Sequence, residues 1–333
     1  MRASLERFLR KQWRRVGAWH VVLLPLSLLF LLAVSLRRLA YRAAWLRSYR
    51  LPVPVIIVGN INVGGSGKTP FTIWLAELLQ RNGYSPAIIS RGYLGSGEAI
   101  SPVFGNSDPT EVGDEPVMMA KHGSWPVWVG RDRVAVGKRL LEAHPECNVI
   151  LCDDGLQHYR LQRDLEIVIV DGEYGFGNGL LLPAGPLREG RCRLKSVDAV
   201  IYNGGSPRPG AHSMLLEGEL FRSVGLPVET SRADMLKGKA ICAVAGIGNP
   251  DRFFNQLQQM GLAFERRPFA DHHSFTREDL QSIKADVILM TEKDAIKCAA
   301  FAQPNWWYLP VATKVDEKLA SFILTKLRNF DGP

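Results

Sequence analysis

The sequence predicts an α/β protein in which two domains are each built on a parallel β-sheet. Short apolar runs alternate with segments of helical periodicity, as in residues 54–90, and this alternation is typical of parallel sheets. Several apolar runs end in polar residues, which would line the carboxyl edge of the sheet, where ligands bind. A fresh strand, glycine turn and helix begin near residue 239, which indicates a second, smaller domain.

The first element along the chain is an apolar segment flanked by arginine. Residues 16–36 run for 21 positions without a formal charge, about the length that spans a hydrocarbon core. Residues 1–50 hold eleven Lys and Arg against one acid, whereas the other 283 residues hold 30 basic and 32 acidic side chains. The net charge of +8 therefore lies beside the apolar segment, which argues against nucleic-acid binding through a folded basic face.

Residues 1–50 are predicted to be a helical membrane-anchoring segment. The sequence alone does not decide whether this segment spans the membrane or dips into one leaflet. A cleaved signal peptide is disfavoured because the run is too long and lacks a small-residue cleavage site. A spanning helix would have basic flanks on both sides and a kink at Pro25. A hairpin or tilted helix dipped into one leaflet, with basic ends on anionic head groups, is favoured over it. The length and the arginine density disfavour a buried core helix.

The next element, PVIIV (54–58), predicts a buried strand, and the loop after it resembles a phosphate loop. The pattern G-x-x-x-x-G-K-[ST] is met at Gly67, Lys68 and Thr69, but Asn62 stands where the first glycine belongs. Asparagine tolerates left-handed dihedrals better than most residues, so this change does not exclude the loop. A helical segment after the loop and a second strand, PAIIS (86–90), complete the unit that a phosphate loop requires.

This loop predicts a nucleotide site, which a chance glycine-rich turn would explain less well. Backbone N–H groups at a helix N-terminus would wrap around the phosphates of a nucleotide. Lys68 would reach the β- and γ-phosphates, and the Thr69 hydroxyl would bind Mg²⁺. The predicted cofactor-binding residues in the loop are Asn62, Gly64, Gly65, Ser66, Gly67, Lys68 and Thr69.

Acidic and basic residues near other strand ends are candidates for the same site. Asp153 and Asp154 close the strand NVILC, as an acid that holds the nucleotide's metal does. Asp114 and Glu115 precede a proline, where a solvated turn or helix cap is an equal alternative. Arg91 follows the second strand, and it could bind phosphate or lie in a surface turn.

The predicted domain boundaries divide the chain into an anchoring segment (1–50), a nucleotide-binding domain (51–211), a β-stranded linker (212–232) and a smaller α/β domain (233–330). The smaller domain has a lone G-x-G at Gly246 and Gly248, which indicates a tight turn more than a dinucleotide site. Its adjacent histidines, His272 and His273, are more often structural than catalytic. The five cysteines form no C-x-x-C pair, so reduced thiols are expected.

Taken together, the motifs resemble the tetraacyldisaccharide 4'-kinase family, which phosphorylates a lipid A precursor. They occur in family order across nearly the whole chain, after the apolar segment: VGNINVGGSGKTP (58–70), SRGY (90–93), GDEP (113–116), DDGLQH (153–158), LLPAGPLRE (181–189), FADHHSF (269–275) and MTEKDAIKC (290–298). The family's own loop has asparagine at the Asn62 position. The departure is therefore from the general pattern and not from the family.

The resemblance implies transfer of the ATP γ-phosphate to the 4'-hydroxyl of a tetraacylated glucosamine disaccharide 1-phosphate, giving lipid IVA. It implies a phosphate-loop NTPase-like sheet with helices on both faces, joined to the smaller domain by the linker. ATP and Mg²⁺ are the implied cofactors. The partners are the lipid substrate and the cytoplasmic face of the bacterial inner membrane, and no nucleic acid or required protein partner is indicated.

Site residues follow from the resemblance by position. Asp114 resembles the family's catalytic base, and His272 a histidine that works with it. Thr69, Glu115 and Asp154 would lie on the metal side. Gln157, with His158, matches a motif near the nucleotide, and the substrate contacts would come from Arg91 and Tyr93. Domain closure is expected to assemble the site, and either Asp114 or His272 would take the hydroxyl proton.

Two other function classes are compared with the kinase. A membrane-associated phosphate-loop ATPase or GTPase switch would hydrolyse nucleotide without lipid. A membrane scaffold with a vestigial loop would be indifferent to loss of Lys68.

Overall fold

The computed structural model describes residues 9, 12–92, 99–205, 208–225, 227–328 and 330. These residues divide into two compact units. The described parts of Phe8–Leu215 and Thr313–Pro333 form the larger unit, and those of Leu216–Ala312 form the smaller. The α/β class predicted from the sequence is confirmed, since each unit contains a sheet with parallel strands.

The apolar N-terminal segment forms one helix, α1 (Ala18–Arg42), which continues through Pro25. By length and composition it could cross a membrane, and only 11% of its most apolar window is buried. The core-helix interpretation is therefore excluded. The hairpin form is wrong as well, because α1 is one uninterrupted helix from Ala18 to Arg42 and the chain does not turn back within it.

One side of α1 makes polar contacts with residues 181–184 of the same unit. The Ser27 hydroxyl donates to the Leu181 carbonyl (2.9 Å) and accepts from the Ala184 amide (3.0 Å). Just before the helix, the Trp13 indole donates to the Pro183 carbonyl (3.1 Å). The remaining surface of α1 is largely exposed leucine and valine.

The larger unit is built on a nine-stranded sheet. Its strands are β1 (Val55–Gly59), β2 (Pro86–Ser90), β3 (Ser101–Val103), β4 (Val127–Val129), β5 (Val149–Asp153), β6 (Leu165–Asp171), β7 (Ala199–Asn203), β8 (His212–Glu217) and β15 (Ala312–Val315). Their order is β15-β8-β7-β6-β1-β5-β2-β4-β3. β1 pairs in parallel with β5 and β6 and is fully buried, so the loop after it lies at the carboxyl edge of the sheet's centre.

Four helices of this unit lie between β1 and β5 along the chain, and their starts have local causes. They are α2 (Lys68–Arg81), α3 (Pro109–Val112), α4 (Asp114–His122) and α5 (Arg133–Ala143). α2 begins after Gly67, whose φ of 95° is the left-handed conformation that favours glycine. Asp108 and Asp132 cap α3 and α5 by accepting backbone N–H groups. The core includes the buried side chains Ile56 and Ile57 of β1 and Phe71 and Leu75 of α2.

The carboxyl-terminal segment differs from the predicted boundary, which placed it in the smaller domain. β15 lies beside β8 in the nine-stranded sheet, and the last helix, α9 (Glu317–Arg328), follows it. Asp316 ties this segment to β8, since its carboxylate lies 3.0 Å from His212 Nδ1 and accepts the Ser213 amide (3.2 Å). Residues 313–330 therefore group with the larger unit.

The smaller unit holds a six-stranded sheet in the order β10-β9-β14-β13-β11-β12. Its strands are β9 (Leu220–Ser223), β10 (Thr230–Arg232), β11 (Ile241–Ala245), β12 (Glu265–Pro268), β13 (Val287–Thr291) and β14 (Trp306–Leu309). Its helices are α6 (Pro250–Gln259), α7 (Arg277–Gln281) and α8 (Glu292–Cys298). β11, β13 and β14 are parallel neighbours, and Phe253, Phe254 and Leu257 of α6 pack on them.

Candidate active site

The phosphate loop of residues 60–67 is held by two asparagine side chains. Asn60 donates to the Gly64 carbonyl (3.1 Å) and to the Ser66 hydroxyl (3.3 Å). Asn203, at the end of β7, donates to the Ser66 carbonyl (2.9 Å). These bonds engage two carbonyls of the loop, and the N–H groups of the loop lie at the N-terminus of α2, where an anion would bind.

Gly67 is packed too closely for any other residue. A Cβ at this position would lie 2.3 Å from Asn203 Nδ2 and 2.9 Å from Met214 Cε. The glycine is therefore required both by its φ of 95° and by the side chains behind it. Asn203 was not singled out from the sequence, although it belongs to the polar strand ends expected at this edge.

Asn62 contributes to the loop in a way the sequence did not predict. It does not have a positive φ, so the left-handed conformation invoked for it is not used. Instead it forms an isolated antiparallel bridge with Leu187, and its side chain donates to the Gly175 carbonyl (2.6 Å). Asn62 thus attaches the start of the loop to residues 175 and 187, and a contact with nucleotide stays a prediction.

Lys68 meets an acid from the neighbouring strand. Its Nζ lies 3.6 Å from Asp154 Oδ1, and Arg188 Nη1 lies 3.1 Å from Asp154 Oδ2. Burial alone would raise the pKa of Asp154, but Lys68 and Arg188 outweigh it and lower that pKa to about 2. Asp154 is therefore ionised and holds two cations at the loop, a position that it reaches with a φ of 47°. Its predicted metal-side role stays a prediction.

Asp153, the last residue of β5, is the other acid and is fully buried. Thr72 of α2 donates to its Oδ1 (3.3 Å), while its buried Oδ2 has no hydrogen-bond partner among the described residues. Burial raises the pKa of Asp153 to about 7, and Glu115 adds to the rise while Lys68 opposes it. A buried carboxylate oxygen without a partner is suited to bind a cation.

Asp114 and Glu115 form the first turn of α4, which agrees with the helix-start alternative. The Asp114 side chain is buried, and it accepts the Glu115 amide (2.9 Å). Glu115 is partly buried and close enough to Asp153 to influence its pKa. The two residues predicted as base and metal-side acid therefore lie on the same element.

A Mg²⁺ ion bound with nucleotide fits these residues. Within the described ranges, no three His, Cys, Asp or Glu side chains are grouped as a metal site. Mg²⁺ in phosphoryl-transfer sites needs only one or two carboxylates, because phosphates and water supply its other ligands. The Asp153 carboxylate, Glu115 nearby and the buried Thr69 of the loop offer such a set.

Gln157 is already committed to protein partners. Its Nε2 donates to the Asn60 carbonyl (3.2 Å) and to Glu189 Oε1 (2.8 Å). Gln157 therefore links the start of the phosphate loop to Glu189. A nucleotide contact by Gln157 stays a prediction. Burial, with Arg133 nearby, lowers the pKa of His158 to about 4, so that side chain is neutral at neutral pH.

The predicted substrate residues are placed only in part. Arg91 is exposed directly after β2, at the carboxyl edge of the sheet. Tyr93 lies outside the described residues.

In the smaller unit, the two histidines have different surroundings. His273 Nε2 lies 3.0 Å from Asp279 Oδ2, which also caps α7, and its ring stacks near Phe269 and Phe275. This is a structural role. His272 has a φ of 56°, and its Nε2 lies 3.3 Å from Lys293 Nζ and 3.8 Å from Asp271 Oδ1.

The glycine turn of the smaller unit is tight, as its sequence predicted. The Gly246 amide donates to Asp294 Oδ2 (2.8 Å). Asp294 is fully buried, accepts the Thr291 hydroxyl (2.7 Å) and lies 2.7 Å from Lys297 Nζ. A protein carboxylate thus occupies the position that an anionic ligand would need.

The sequence matches a family of known proteins over most of its length. The profile of the Tetraacyldisaccharide-1-P 4'-kinase family matches residues 19–328. The chain belongs to this family. The tetraacyldisaccharide 4'-kinase from Methylobacillus flagellatus is 53% identical to this chain, and the match covers 98% of each of the two sequences. The one from Azoarcus sp. is 49% identical to this chain, with 96% of each sequence covered.

A solved member of the tetraacyldisaccharide 4'-kinase family has a similar fold. It is LpxK from Aquifex aeolicus, crystallised in complex with ATP, with a TM-score of 0.75 and 31% identity. The match covers 93% of this chain and 99% of that one. This chain is accordingly an ATP-dependent kinase of lipid A biosynthesis.

Several residues that build the site were not singled out as site residues. Arg188 and Glu189 lie in LLPAGPLRE, which was recognised only as a family motif, and Thr72 lies one turn into α2. The adjacent basic and acidic residues at the end of this motif were a sequence signal for a charged site. Their partners, however, lie elsewhere along the chain.

Proposed function

We propose that this kinase transfers the γ-phosphate of ATP to the 4'-hydroxyl of a tetraacylated glucosamine disaccharide 1-phosphate, forming lipid IVA. The observation that carries the proposal is the phosphate loop, with Lys68 at the first turn of α2 beside Asp153, Asp154 and Arg188. Membership in the tetraacyldisaccharide 4'-kinase family supplies the identity of the acceptor.

The residues of the loop have distinct roles in this proposal. N–H groups of residues 64–69 and the Lys68 ammonium bind the β- and γ-phosphates, and Arg188 and Lys68 neutralise charge in the transition state. Thr69, Asp153 and Glu115 hold Mg²⁺, which when bound screens charge between the phosphates. Asp154 keeps both cations oriented.

Asp114 is the proposed base. The 4'-oxygen attacks the γ-phosphorus, its proton passes to the Asp114 carboxylate, and the bond to the β–γ bridging oxygen breaks to release ADP. Asp114→Ala should lower kcat by about 10²-fold, and a change in KM alone would remove Asp114 as the base. The cooperation of His272 with Asp114 is a further prediction, which a double-mutant cycle of the two alanine variants tests.

We also propose that α1 holds the enzyme on the cytoplasmic face of the bacterial inner membrane. Its exposed leucines, among them Leu29 and Leu32, would bury their side chains in the leaflet where the substrate's acyl chains lie. Because these side chains are exposed, Leu29→Glu and Leu32→Glu should leave the fold intact and reduce flotation with phospholipid vesicles. Unchanged flotation of both variants would locate membrane binding elsewhere.

The deciding experiment supplies Mg-ATP labelled on its γ-phosphate, with and without the lipid disaccharide in detergent. The kinase predicts labelled lipid and ATP consumption that depends on the disaccharide. A nucleotide-hydrolysing switch predicts phosphate release without lipid and little effect of His272→Ala. Absence of labelled lipid from folded protein would overturn the proposed transfer.

A further inference from the structure

A cavity of about 350 Å³ lies in the larger unit at the carboxyl end of α1. Its volume falls in the range of about 300–1,000 Å³ that small-ligand pockets occupy. The lining residues that matter here are five arginines and one acid: Arg38, Arg42, Arg50, Arg163, Arg193 and Glu166. None of them belongs to the phosphate loop.

Three of the five arginines are neutralised by the protein. Glu166 lies 2.9 Å from Arg163 Nη1 and 2.5 Å from Arg193 Nη2, and both guanidinium groups are mostly buried. Arg50 pairs with Asp164 (2.7 Å). These pairs give the cavity a rigid polar wall.

Arg38 and Arg42 are the two arginines left over. Arg38 Nη2 donates to the neutral hydroxyl of Ser196 (2.8 Å). Among the described residues, neither Arg38 nor Arg42 has a carboxylate within 4.0 Å. Two guanidinium groups without a counter-charge, set at the mouth of a polar cavity, suit a phosphate group, which they can bind through paired N–H donors.

The position of the cavity relates this phosphate to a lipid. Leu32, Leu36 and Leu39 of α1 are exposed on the turns that lead to Arg42. Trp45, with 78% of its surface exposed, follows directly, and tryptophan favours the level of lipid head groups. A phospholipid whose acyl chains lie along these leucines would bring its phosphate to the level of Arg38 and Arg42.

We propose that this arginine cavity, which no residue of the phosphate loop lines, binds the phosphate of an anionic phospholipid from the surrounding bilayer. The proposal rests on the membrane association proposed above, because the lipid must reach α1 from a leaflet. It differs from general attraction to an anionic surface in requiring the residues that line the cavity.

The test compares two arginines that border the same exposed segment. Arg42 lines the cavity, whereas Arg47 is exposed and does not line it, so Arg42→Ala and Arg47→Ala remove the same charge. The full chain, with ADP filling the phosphate loop, is titrated calorimetrically with dihexanoyl phosphatidylglycerol below its micelle concentration. Dihexanoyl phosphatidylcholine and glycerol 3-phosphate serve as the other probes.

We expect saturable binding of one phosphatidylglycerol, weakened about 10-fold or more by Arg42→Ala and less than 2-fold by Arg47→Ala. Equal weakening by the two variants would mean diffuse attraction and overturn the proposal. Equal affinity for phosphatidylcholine would overturn it too, and equal affinity for glycerol 3-phosphate would show a site for a free phosphate instead of a lipid. Arg42→Ala should still float with vesicles through α1, so loss of flotation by the leucine variants and loss of this site are separable outcomes.

Discussion

Two parts of the molecule have the same local design and opposite chemistry. In the larger unit, β1 leads through a glycine loop into α2, and in the smaller unit β11 leads through Gly246 into α6. Both are parallel strands followed by a glycine turn and a helix, the local setting in which anions bind. The polar groups around the two turns differ.

At Gly246 the protein supplies its own anion. The buried Asp294 carboxylate accepts the turn's amide and lies beside Lys297, so the turn is closed to an external phosphate. At the phosphate loop, Asp154 binds Lys68 and Arg188 from the side, while Asn60 and Asn203 take up loop carbonyls. In this chain the two glycine turns therefore differ in whether a protein carboxylate already accepts an N–H group of the turn.

The largest effect should come from replacing Lys68, the lysine of the phosphate loop. Lys68→Ala should lower kcat/KM by about 10³-fold, because it removes a cation from the transferred phosphate without disturbing the core. Lipid phosphorylation by the variant, with circular dichroism as a check of folding, measures this. Lys297→Ala is the matched control at the other turn, and there we expect lower stability with near-normal kcat. An equal loss of kcat in both variants would contradict the difference between the turns.

A second prediction concerns the carboxylate that closes the smaller unit's turn. Asp294→Ala would leave the Gly246 amide and the Lys297 ammonium buried without their partner. We expect a loss of about 3 kcal/mol in the free energy of unfolding, measured by urea titration. Asp234→Ala removes an exposed acid that pairs with Lys237 and should cause no measurable loss. Comparable stability of the two variants would show that Asp294 does not hold the turn.

The glycines give a third, smaller contrast. Gly67→Ala places a methyl group 2.3 Å from Asn203 Nδ2 at a φ of 95°, so the loop must shift. We expect ATP affinity to fall about 30-fold, measured by calorimetry. At Gly246 the nearest atom to an added Cβ is Asp294 Oδ1 at 3.1 Å, and the φ is not positive. Gly246→Ala should leave ATP affinity unchanged, and a loss equal to that of Gly67→Ala would contradict the assignment of one turn alone to nucleotide.

The same comparison explains what the sequence could predict. The strands β1, β2, β5, β6 and β7 were predictable because each is a short apolar run with a turn at its end. The loop was predictable because its glycines, lysine and threonine are contiguous. Whether a turn is open or closed depends on Asp294, 48 residues from Gly246, and on Arg188, 34 residues from Asp154. Such pairings are set by the folded sheet and leave no local periodicity.

The carboxyl-terminal return to the larger unit was missed for a similar reason. β15 has four residues, and nothing in its own sequence distinguishes a strand of one sheet from a strand of the other. Its position beside β8 is fixed by Asp316, which contacts His212 more than 100 residues earlier. β3 and β4, with three residues each, are likewise too short to give an alternating pattern.

The smallest predicted effect concerns the two fully buried acids, Asp294 and Asp153. Asp294 is engaged by three partners, whereas Asp153 keeps one oxygen without a partner and its pKa is raised from 3.8 to about 7. Between about pH 4 and pH 7 the folded protein therefore holds a proton on Asp153 that the unfolded chain has lost. Stability from this group is complete below pH 4 and is lost as the pH rises through 7.

Asp153→Asn removes this titration, so the stability of the wild type relative to the variant should fall between pH 5 and pH 8 by on the order of 2 kcal/mol. Urea titrations of both proteins across that range measure the difference. Mg-ATP requires the carboxylate, and so its affinity for the wild type should rise over the same interval, with release of a proton on binding. A flat stability difference would mean that Asp153 is ionised throughout. The negative charge of Asp153 would then already be compensated in the free protein, as the Lys297 ammonium, 2.7 Å from Oδ1, compensates that of Asp294.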